Sequence, residues 1–298
     1  MFAGPNRLAR LGLWLVLANV LFFHVLRRLV GLDGAGDGSL YAGIARNLAE
    51  GQGSRWDLNF SQHFFSGFTE HPPLMIWIEA GLFRLFGDTL VVEKAFSFFL
   101  LLLNGAFIVF IWRQLSRGSR YQNYDVVALI LTLVAGRIGY AFASSLIENL
   151  QMAFTAFAVL CVVIAYQDGM DRRHRFFLMF CSGALIELAL LTKGPVGLFP
   201  LATPLLYFTA FRAQRFTDVV LDMAIIASTF IVLSLAILAF TEPREYFVRY
   251  SNIQVVASLA GARGGEGLFG SLGLFLPIFL FPCLIAFFIW ALSFFISR

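Results

Sequence analysis

Ionisable side chains that could catalyse a group transfer interrupt the apolar runs of this 298-residue chain at a few places. The candidates are Asp33, Asp37, Glu70, His71, Glu148 and Lys193. A carboxylate can accept a proton from a hydroxyl or an amine while a sugar–phosphate bond breaks, and a lysine can bind the phosphate that departs. If the fold gathers these side chains at one lipid boundary, they indicate chemistry on a phosphate-bearing lipid.

Asp37 precedes a segment of helical periodicity in which Leu40, Ile44 and Leu48 share one face. A carboxylate at this place either caps the helix, by accepting hydrogen bonds from free backbone amides, or acts as a general base, and one side chain can do both. Asp33 is the competing base, but it lies in a glycine-rich stretch with less to orient it. We therefore expect Asp37 to be the base.

The pair Glu70-His71 stands directly before two prolines, and Pro72 holds the residue before it in an extended conformation. Such a rigid position favours a site, although a polar start to a surface helix is the alternative. The two side chains could bind a phosphate, a proton or a metal. No metal-ligand spacing supports a divalent metal, and no cofactor is required.

Lys193 follows the fifth apolar run, on the side of the membrane predicted to be extracytoplasmic. Basic residues are less common in loops on that side. The lysine therefore either extends to the membrane interface or binds an anion. Glu148 opens the fourth run, where a carboxylate also favours the helix dipole. Glu187, deeper in the fifth run, is expected to be protonated or paired rather than catalytic. Arg263, near several glycines, is a candidate for phosphate binding that a solvated loop explains equally well.

Membrane-spanning helices must position these residues, because 59% of the chain is hydrophobic and only 13% is charged. A span needs about 20 apolar residues. Eight runs approach that length, at about 11–30, 90–112, 124–146, 149–166, 176–192, 196–211, 217–240 and 270–296. The first run is longer than the core of a cleavable signal, which is roughly 7–15 residues. The predicted fold is an all-α integral membrane bundle of about eight helices, a single membrane domain over 1–298.

Arginines bunch in four short segments, at 7–10, 113–120, 172–175 and 212–215. With the N-terminus in the cytoplasm, all four fall on the cytoplasmic side, so the net charge of +4 indicates topology rather than nucleic-acid binding. The same topology places 31–89 and 241–269 outside as the first and second extracytoplasmic loops. The three cysteines lie in apolar runs and predict no disulfide framework.

Two short helices are predicted in the first outer loop. The segment 74–86 contains Glu79 and Arg84, and at about 1.5 Å per residue it covers about 20 Å of a core of about 30 Å, too little for a span. The other helix runs from Asp37 or Gly38 to Glu50. We expect both to lie on the outer membrane face as interfacial helices.

Four motifs carry a resemblance to a known family. They are Asp37-Gly38-Ser39-Leu40-Tyr41-Ala42-Gly43-Ile44-Ala45-Arg46-Asn47-Leu48, Glu70-His71-Pro72-Pro73-Leu74 with Trp77, Glu148-Asn149, and Leu191-Thr192-Lys193-Gly194-Pro195. In this order they resemble the dolichyl-phosphate-mannose protein mannosyltransferase-like family, which is glycosyltransferase family 39 with its bacterial relatives, including the aminoarabinose transferase of lipid A. The likeness covers roughly residues 30–212.

The resemblance implies a GT-C fold that uses a polyprenyl-phosphate sugar donor on the extracytoplasmic side of the membrane. In a bacterium, this would be the inner membrane. We expect an inverting hexosyl or pentosyl transfer to a lipid, glycan or protein acceptor. Asp37 would be the base, Glu148 the second acidic residue, and Lys193 the contact to the lipid phosphate. The further site residues are Tyr41, Glu70, His71 and Arg263.

The sequence departs from the family pattern at Gly38, where many relatives have Glu, and at His71, where an aminoarabinose-type enzyme has Lys. Relatives usually continue with further spans and often an outer domain, so a minimal or truncated enzyme is expected. Two other functions stay open at this point. A transporter or flippase of lipid-linked sugars would carry polar sites at mid-membrane, and a non-catalytic membrane protein would release no polyprenyl phosphate.

Overall fold

The computed structural model describes residues 7–31, 36–61, 67–119 and 121–257. Every regular element within these ranges is helical, apart from two isolated β-bridges in the first outer loop. The α-helices are α1 Arg7–Leu21, α2 Arg27–Val30, α3 Asp37–Ala49, α4 Leu74–Phe86, α5 Leu90–Leu115, α6 Asp125–Val134, α7 Gly136–Ala143, α8 Glu148–Ala165, α9 Arg172–Lys193, α10 Thr203–Phe211, α11 Phe216–Leu238 and α12 Thr241–Tyr250. π-Helical turns occupy Phe22–Leu26 and Ser251–Val256, and a 3₁₀ helix occupies Pro195–Ala202.

Five of these helical stretches are long and apolar enough to cross a membrane. They are Arg7–Val30, Leu90–Leu115, Glu148–Ala165, Arg172–Lys193 and Phe216–Leu238. Each coincides with one of the predicted spans. The all-α membrane fold predicted from the sequence is therefore confirmed.

Two predicted spans have a different structure. The run at 124–146 divides into α6 and α7 because Ala135 adopts an extended backbone, with φ −61° and ψ 101°. The run at 196–211 begins as the 3₁₀ helix, which includes Pro200. Proline lacks a backbone N–H and its ring clashes with the preceding turn, so a regular α-helix is interrupted here and a short 3₁₀ segment takes its place. The span predicted at 270–296 lies outside the described residues, so the count of eight remains a prediction.

Helix α8 is the central helix of the bundle, packed against both α5 and α9. At its outer end, Leu150 belongs to a cluster of buried apolar side chains that includes Ile76 and Leu100. Further along, Val162 joins a second cluster with Ile186 of α9 and Ile226 of α11. Burying these side chains fixes α8 on two sides, and with it the residues at its first turn.

Helix α4 has the predicted bounds, α3 ends one residue before its predicted end at Glu50, and the two helices pack against each other. The face of α3 that carries Ile44 is buried within the protein, and the Arg84 side chain of α4 donates hydrogen bonds to the carbonyls of Leu48 (2.7 Å) and Ala49 (3.0 Å). These are among the last carbonyls of α3, which have no partner within a helix. Arg84 therefore joins the two outer helices.

The contacts divide the chain into two compact units, Met1–Arg244 and Glu245–Arg298. All the site residues described below belong to the first unit. In the second unit the structure describes 245–257, which hold the end of α12 and the π-helical turn. Asp33 and Arg263, with residues 258–269 of the second outer loop, fall outside the described residues.

Candidate active site

A cavity of about 790 Å³ lies between α3, α7, α8 and the 3₁₀ helix. Two carboxylates line it, Asp37 from α3 and Glu148 from α8. The remaining wall is mainly apolar, with Tyr140, Phe142 and Phe199 among its aromatic side chains. A mainly apolar wall with a few polar groups is typical of small-molecule sites, and this one suits a ligand with a polar reacting centre.

Asp37 is the first residue of α3, and Gly36 rather than Asp37 occupies the N-cap position. The alternative that Asp37 caps the helix is therefore wrong. Its negative charge still lies at the positive end of the helix dipole. Because the residue is exposed and lines the cavity, its carboxylate can reach a ligand there.

Gly38 allows α3 to approach the turn before α8. A Cβ atom on Gly38 would lie 1.8 Å from the carbonyl oxygen of Ser144, a distance that no side chain can adopt. The next residue, Ser145, has a left-handed backbone with φ 54°. The close contact gives a physical reason for the glycine at this position, since no larger residue fits between α3 and this turn.

Glu148 and Lys193 form an ion pair between the first residue of α8 and the last residue of α9. Helix α9 ends here because Gly194, with φ 82°, takes a left-handed conformation before Pro195. A carboxylate at the start of one helix and a lysine at the end of another each oppose the local dipole charge. The antiparallel packing of α8 on α9 thus places a cation beside the two acidic residues.

Tyr41 lies within α3, with only 4% of its surface exposed. Its ring contacts His71, with centroids 5.8 Å apart, and Phe68, at 6.3 Å. Burial raises the pKa of the Tyr41 hydroxyl, and the negative charges of three acidic residues raise it further. Those residues are Asp37, Glu148 and Glu70. The hydroxyl therefore stays protonated and can donate a hydrogen bond.

The structure thus brings six of the seven predicted site residues into one region, and the seventh, Arg263, is not among the described residues. Asp37 and Glu148 line the cavity, and Lys193 binds Glu148. Tyr41 is close enough to both acids, and to Glu70, for their charges to affect it. His71 contacts the Tyr41 ring edge-on.

Buried polar residues of α5 were not predicted from the sequence as part of this site. The hydroxyl of Ser97 donates to the carbonyl of Phe142 (2.5 Å). The side-chain amide of Asn149 donates to the carbonyl of Ala141 (2.9 Å) and to the Ser97 hydroxyl (3.3 Å), and Asn104 donates to the carbonyl of Asn149 (3.0 Å). Ser97 and Asn104 lie two helical turns apart in an apolar run, and this spacing is the sequence signal that could have revealed them.

Glu187 is buried and accepts a hydrogen bond from the Ser234 hydroxyl of α11, 2.5 Å away. This contact agrees with the expectation that Glu187 is paired. In the described ranges, no group of three or more His, Cys, Asp or Glu side chains could hold a metal ion.

The opposite ends of the long helices carry paired arginines. Arg113 of α5 binds Asp125, and Arg175 of α9 binds Asp222 of α11 and stacks on Tyr166, with 5.0 Å from the guanidinium carbon to the ring centroid. At about 1.5 Å per residue, Arg175 is about 27 Å from Lys193 along α9. The cavity and these arginine pairs therefore lie at opposite ends of the bundle.

Comparisons with known proteins give one family and one fold. The family model for dolichyl-phosphate-mannose-protein mannosyltransferase matches residues 70–239. The crystal structure of ArnT from Cupriavidus metallidurans bound to undecaprenyl phosphate aligns with a TM-score of 0.50 and 19% identity, over 80% of this chain and 44% of that chain. The apo structure of the same protein aligns at 0.49 and 20%, over 76% and 43%.

The chain therefore spans less than half of the length of the solved structures that it matches. At this level of identity the likeness shows a shared fold. No curated protein sequence matches the chain significantly.

Proposed function

Because the chain belongs to the dolichyl-phosphate-mannose-protein mannosyltransferase family, we propose that it is a membrane glycosyltransferase that takes a sugar from a polyprenyl-phosphate donor. Its fold is of the GT-C type, as predicted, and is shared with ArnT. That protein was crystallised with undecaprenyl phosphate, which is a polyprenyl phosphate, and this supports the proposed class of donor.

The observation that carries the proposal is the placement of Asp37 and Glu148 in one cavity, with Lys193 bound to Glu148 beside it. A transferase of this kind needs a base for the acceptor and a cation for the leaving phosphate. Both are present at one end of the bundle. The apolar part of the cavity wall suits the first units of the lipid chain.

In the proposed reaction, an oxygen or nitrogen of the acceptor attacks the anomeric carbon of the sugar from the side opposite the phosphate. Its proton passes to the carboxylate of Asp37. The bond between the anomeric carbon and the phosphate oxygen breaks, and that oxygen keeps the electron pair. The configuration of the sugar inverts, and the ammonium of Lys193 stabilises the charge on the departing polyprenyl phosphate.

The neighbouring residues have supporting roles in this proposal. Glu148 holds the Lys193 ammonium at the edge of the cavity. Tyr41, whose hydroxyl stays protonated, donates a hydrogen bond to the substrate, and Glu70 and His71 complete the polar surface around it. The reaction needs no cofactor.

The acceptor is a lipid, a glycan or a protein, and the transferred unit is a hexose or a pentose. We place the reaction on the extracytoplasmic side of a bacterial inner membrane, with the N-terminus in the cytoplasm. The arginine pairs at the far end of the bundle support this orientation, since arginine favours cytoplasmic ends.

Reconstitution with a radiolabelled polyprenyl-phosphate sugar tests the proposal. The wild-type protein should release polyprenyl phosphate and transfer the label. Asp37→Asn should lower the rate about 100- to 10,000-fold, the range for loss of a general base, while membrane insertion is unchanged. Asp57→Asn, the same change at an exposed residue of the first outer loop, should be neutral.

Two results would reject the assignment. Full activity of Asp37→Asn would remove Asp37 as the base. Movement of intact donor across the membrane without release of polyprenyl phosphate would identify a flippase instead. A flippase would carry a polar residue at a mid-membrane transport site. The candidate for that residue, Glu187, is buried and accepts a hydrogen bond from Ser234.

A further inference from the structure

Three consecutive carbonyls at the end of α7 accept hydrogen bonds from side chains outside that helix. Asn149 donates to Ala141 (2.9 Å), Ser97 donates to Phe142 (2.5 Å), and the ammonium of Lys94 donates to Ala143 (3.3 Å). The last carbonyls of a helix lack a full set of partners within it, and these side chains donate to them. Ala141 also accepts a hydrogen bond from the backbone N–H of Leu146 (3.1 Å). We name Lys94, Ser97 and Asn149 the carbonyl clamp.

Two members of the carbonyl clamp are almost completely buried, and the third, Lys94, is partly buried. Ser97 and Asn149 are each 1% exposed, and Asn104 contacts Asn149 from the next turns of α5. An unpaired polar group in such a place costs more than an ordinary hydrogen bond contributes, so the network strongly favours one arrangement of α5, α7 and α8. The end of α7 is therefore held rigidly against α5.

The turn that follows α7 supports both acidic residues of the cavity. On one side, the Cα of Gly38 packs against the carbonyl of Ser144, which fixes the first turn of α3 and thus Asp37. On the other side, the turn ends at Ile147, which is buried, and Glu148 begins α8. A shift of this turn would move Asp37 relative to Glu148.

We propose that Lys94 and Ser97 are positioning residues for the sugar transfer, acting through the turn between α7 and α8. This inference rests on the proposed function. Neither residue is among those that line the cavity, so neither is assigned contact with the substrate. They would fix the distance and orientation of Asp37, the proposed base, relative to the Glu148–Lys193 ion pair, which is proposed to bind the leaving phosphate.

The test compares Ser97→Ala with Ser97→Thr, which keeps the hydroxyl. Ser97→Ala should lower kcat about 10- to 100-fold, as a small misplacement of catalytic groups does, with KM for the donor within about twofold of wild type. Ser97→Thr should recover most of the activity. Hydrogen exchange of the backbone amides in 144–149 should be faster in Ser97→Ala than in wild type.

Ser182→Ala is the matched control. The Ser182 hydroxyl is also fully buried and donates to a carbonyl of another helix, Ala158, at 3.2 Å. It lies 11 residues before Lys193 in α9, about 16 Å away along the helix axis. Its loss removes the same kind of bond from the bundle, so kcat and the exchange of 144–149 should both stay at wild-type values.

The outcomes separate this proposal from the proposed function. A wild-type protein without transfer activity would reject the function, whereas an active wild type with unchanged kcat in Ser97→Ala would reject the positioning role. An equal loss of kcat in Ser182→Ala would also reject it, because any buried hydroxyl would then matter. If Ser97→Ala does not fold, Lys94→Met compared with Lys94→Arg, which keeps a cationic N–H donor of sufficient length, gives the same comparison.

Discussion

Glu148 and Lys193 are ion-paired across the outer ends of α8 and α9, and the pair is only partly buried. The Glu148 side chain is 41% exposed and that of Lys193 is 23% exposed. A pair with this exposure contributes about 1 kcal/mol or less to stability. The pair therefore matters mainly because it places a cation beside a cavity-lining residue, and in the proposed function the donor phosphate would share that cation with Glu148.

Replacing Lys193 with Ala should lower kcat/KM for the polyprenyl-phosphate donor about 100- to 1,000-fold, because the charge on the departing phosphate would lose its main stabilising group. Lys193→Arg should retain part of the activity. Steady-state kinetics with a labelled donor measure both. Arg117→Ala, at an exposed basic residue of the other end of the bundle, is the control, and equal rates in Lys193→Ala and wild type would exclude Lys193 from phosphate binding.

Substituting Gly38 with Ala should destabilise the protein by about 1–3 kcal/mol and reduce transfer, since the new Cβ must push α3 away from Ser144. Thermal unfolding in detergent and the transfer assay record the two effects. Gly81→Ala is the matched control, because a Cβ on that helical glycine of α4 meets no atom within 4 Å. A Gly38→Ala variant as stable and active as wild type would show that the close contact is not needed.

The raised pKa of Glu79 predicts that the stability of the protein depends on pH. Its side chain is buried in α4, and burial, followed by the charge of Glu93, raises the pKa from 4.5 to about 8, although Lys94 opposes the shift. The folded protein therefore binds this proton more tightly than the unfolded chain does. The stabilisation is complete below about pH 4.5 and is lost as the pH rises through about 8.

Melting temperatures at pH 5 and pH 8.5 check this dependence. Wild type should lose stability at the higher pH relative to Glu79→Gln, whose side chain does not ionise. Glu50→Gln, at an exposed position of the same outer loop, should behave as wild type. Parallel pH curves for wild type and Glu79→Gln would contradict the shifted pKa.

Thiol labelling tests the proposed topology. Ser54 is exposed in the loop between α3 and α4, and Ser119 is exposed between α5 and α6. A cysteine at Ser54 should react with an impermeant reagent added outside intact cells, and one at Ser119 should react only after permeabilisation. The protein without an added cysteine sets the background. Of its three native cysteines, Cys161 is buried, Cys181 is half-buried and Cys283 lies outside the described residues. The reverse pattern would place the cavity in the cytoplasm.

Local signals predicted the outer helices well. Pro72-Pro73 precedes α4, Gly87 follows it, and the apolar positions of α3 repeat at helical spacing, so the predicted bounds agree with the structure to within one residue. The family resemblance, carried by ordered motifs, is also confirmed. Helix bounds and family motifs were both predictable because each depends on a few residues that are neighbours in the sequence.

Contacts between distant segments were not predictable in this way. Hydropathy measures how apolar a run is and cannot detect the extended backbone of Ala135, which divides a predicted span. In the sequence, Arg84 is a charged residue within an apolar segment. Only the packing of α4 on α3 shows that its side chain donates hydrogen bonds to the carbonyls of Leu48 and Ala49. The apolar face of α3, expected to lie on the bilayer, is covered by protein for the same reason.

The ion pair between Glu148 and Lys193 also bears on how the chain enters the membrane. Helices α8 and α9 are consecutive and antiparallel, so both residues reach the far side together at the ends of a single hairpin. Carrying an isolated lysine through lipid costs several kcal/mol. A hairpin that already contains the opposing carboxylate carries no net charge from this pair, so we expect the pairing to lower the cost of taking Lys193 across the lipid.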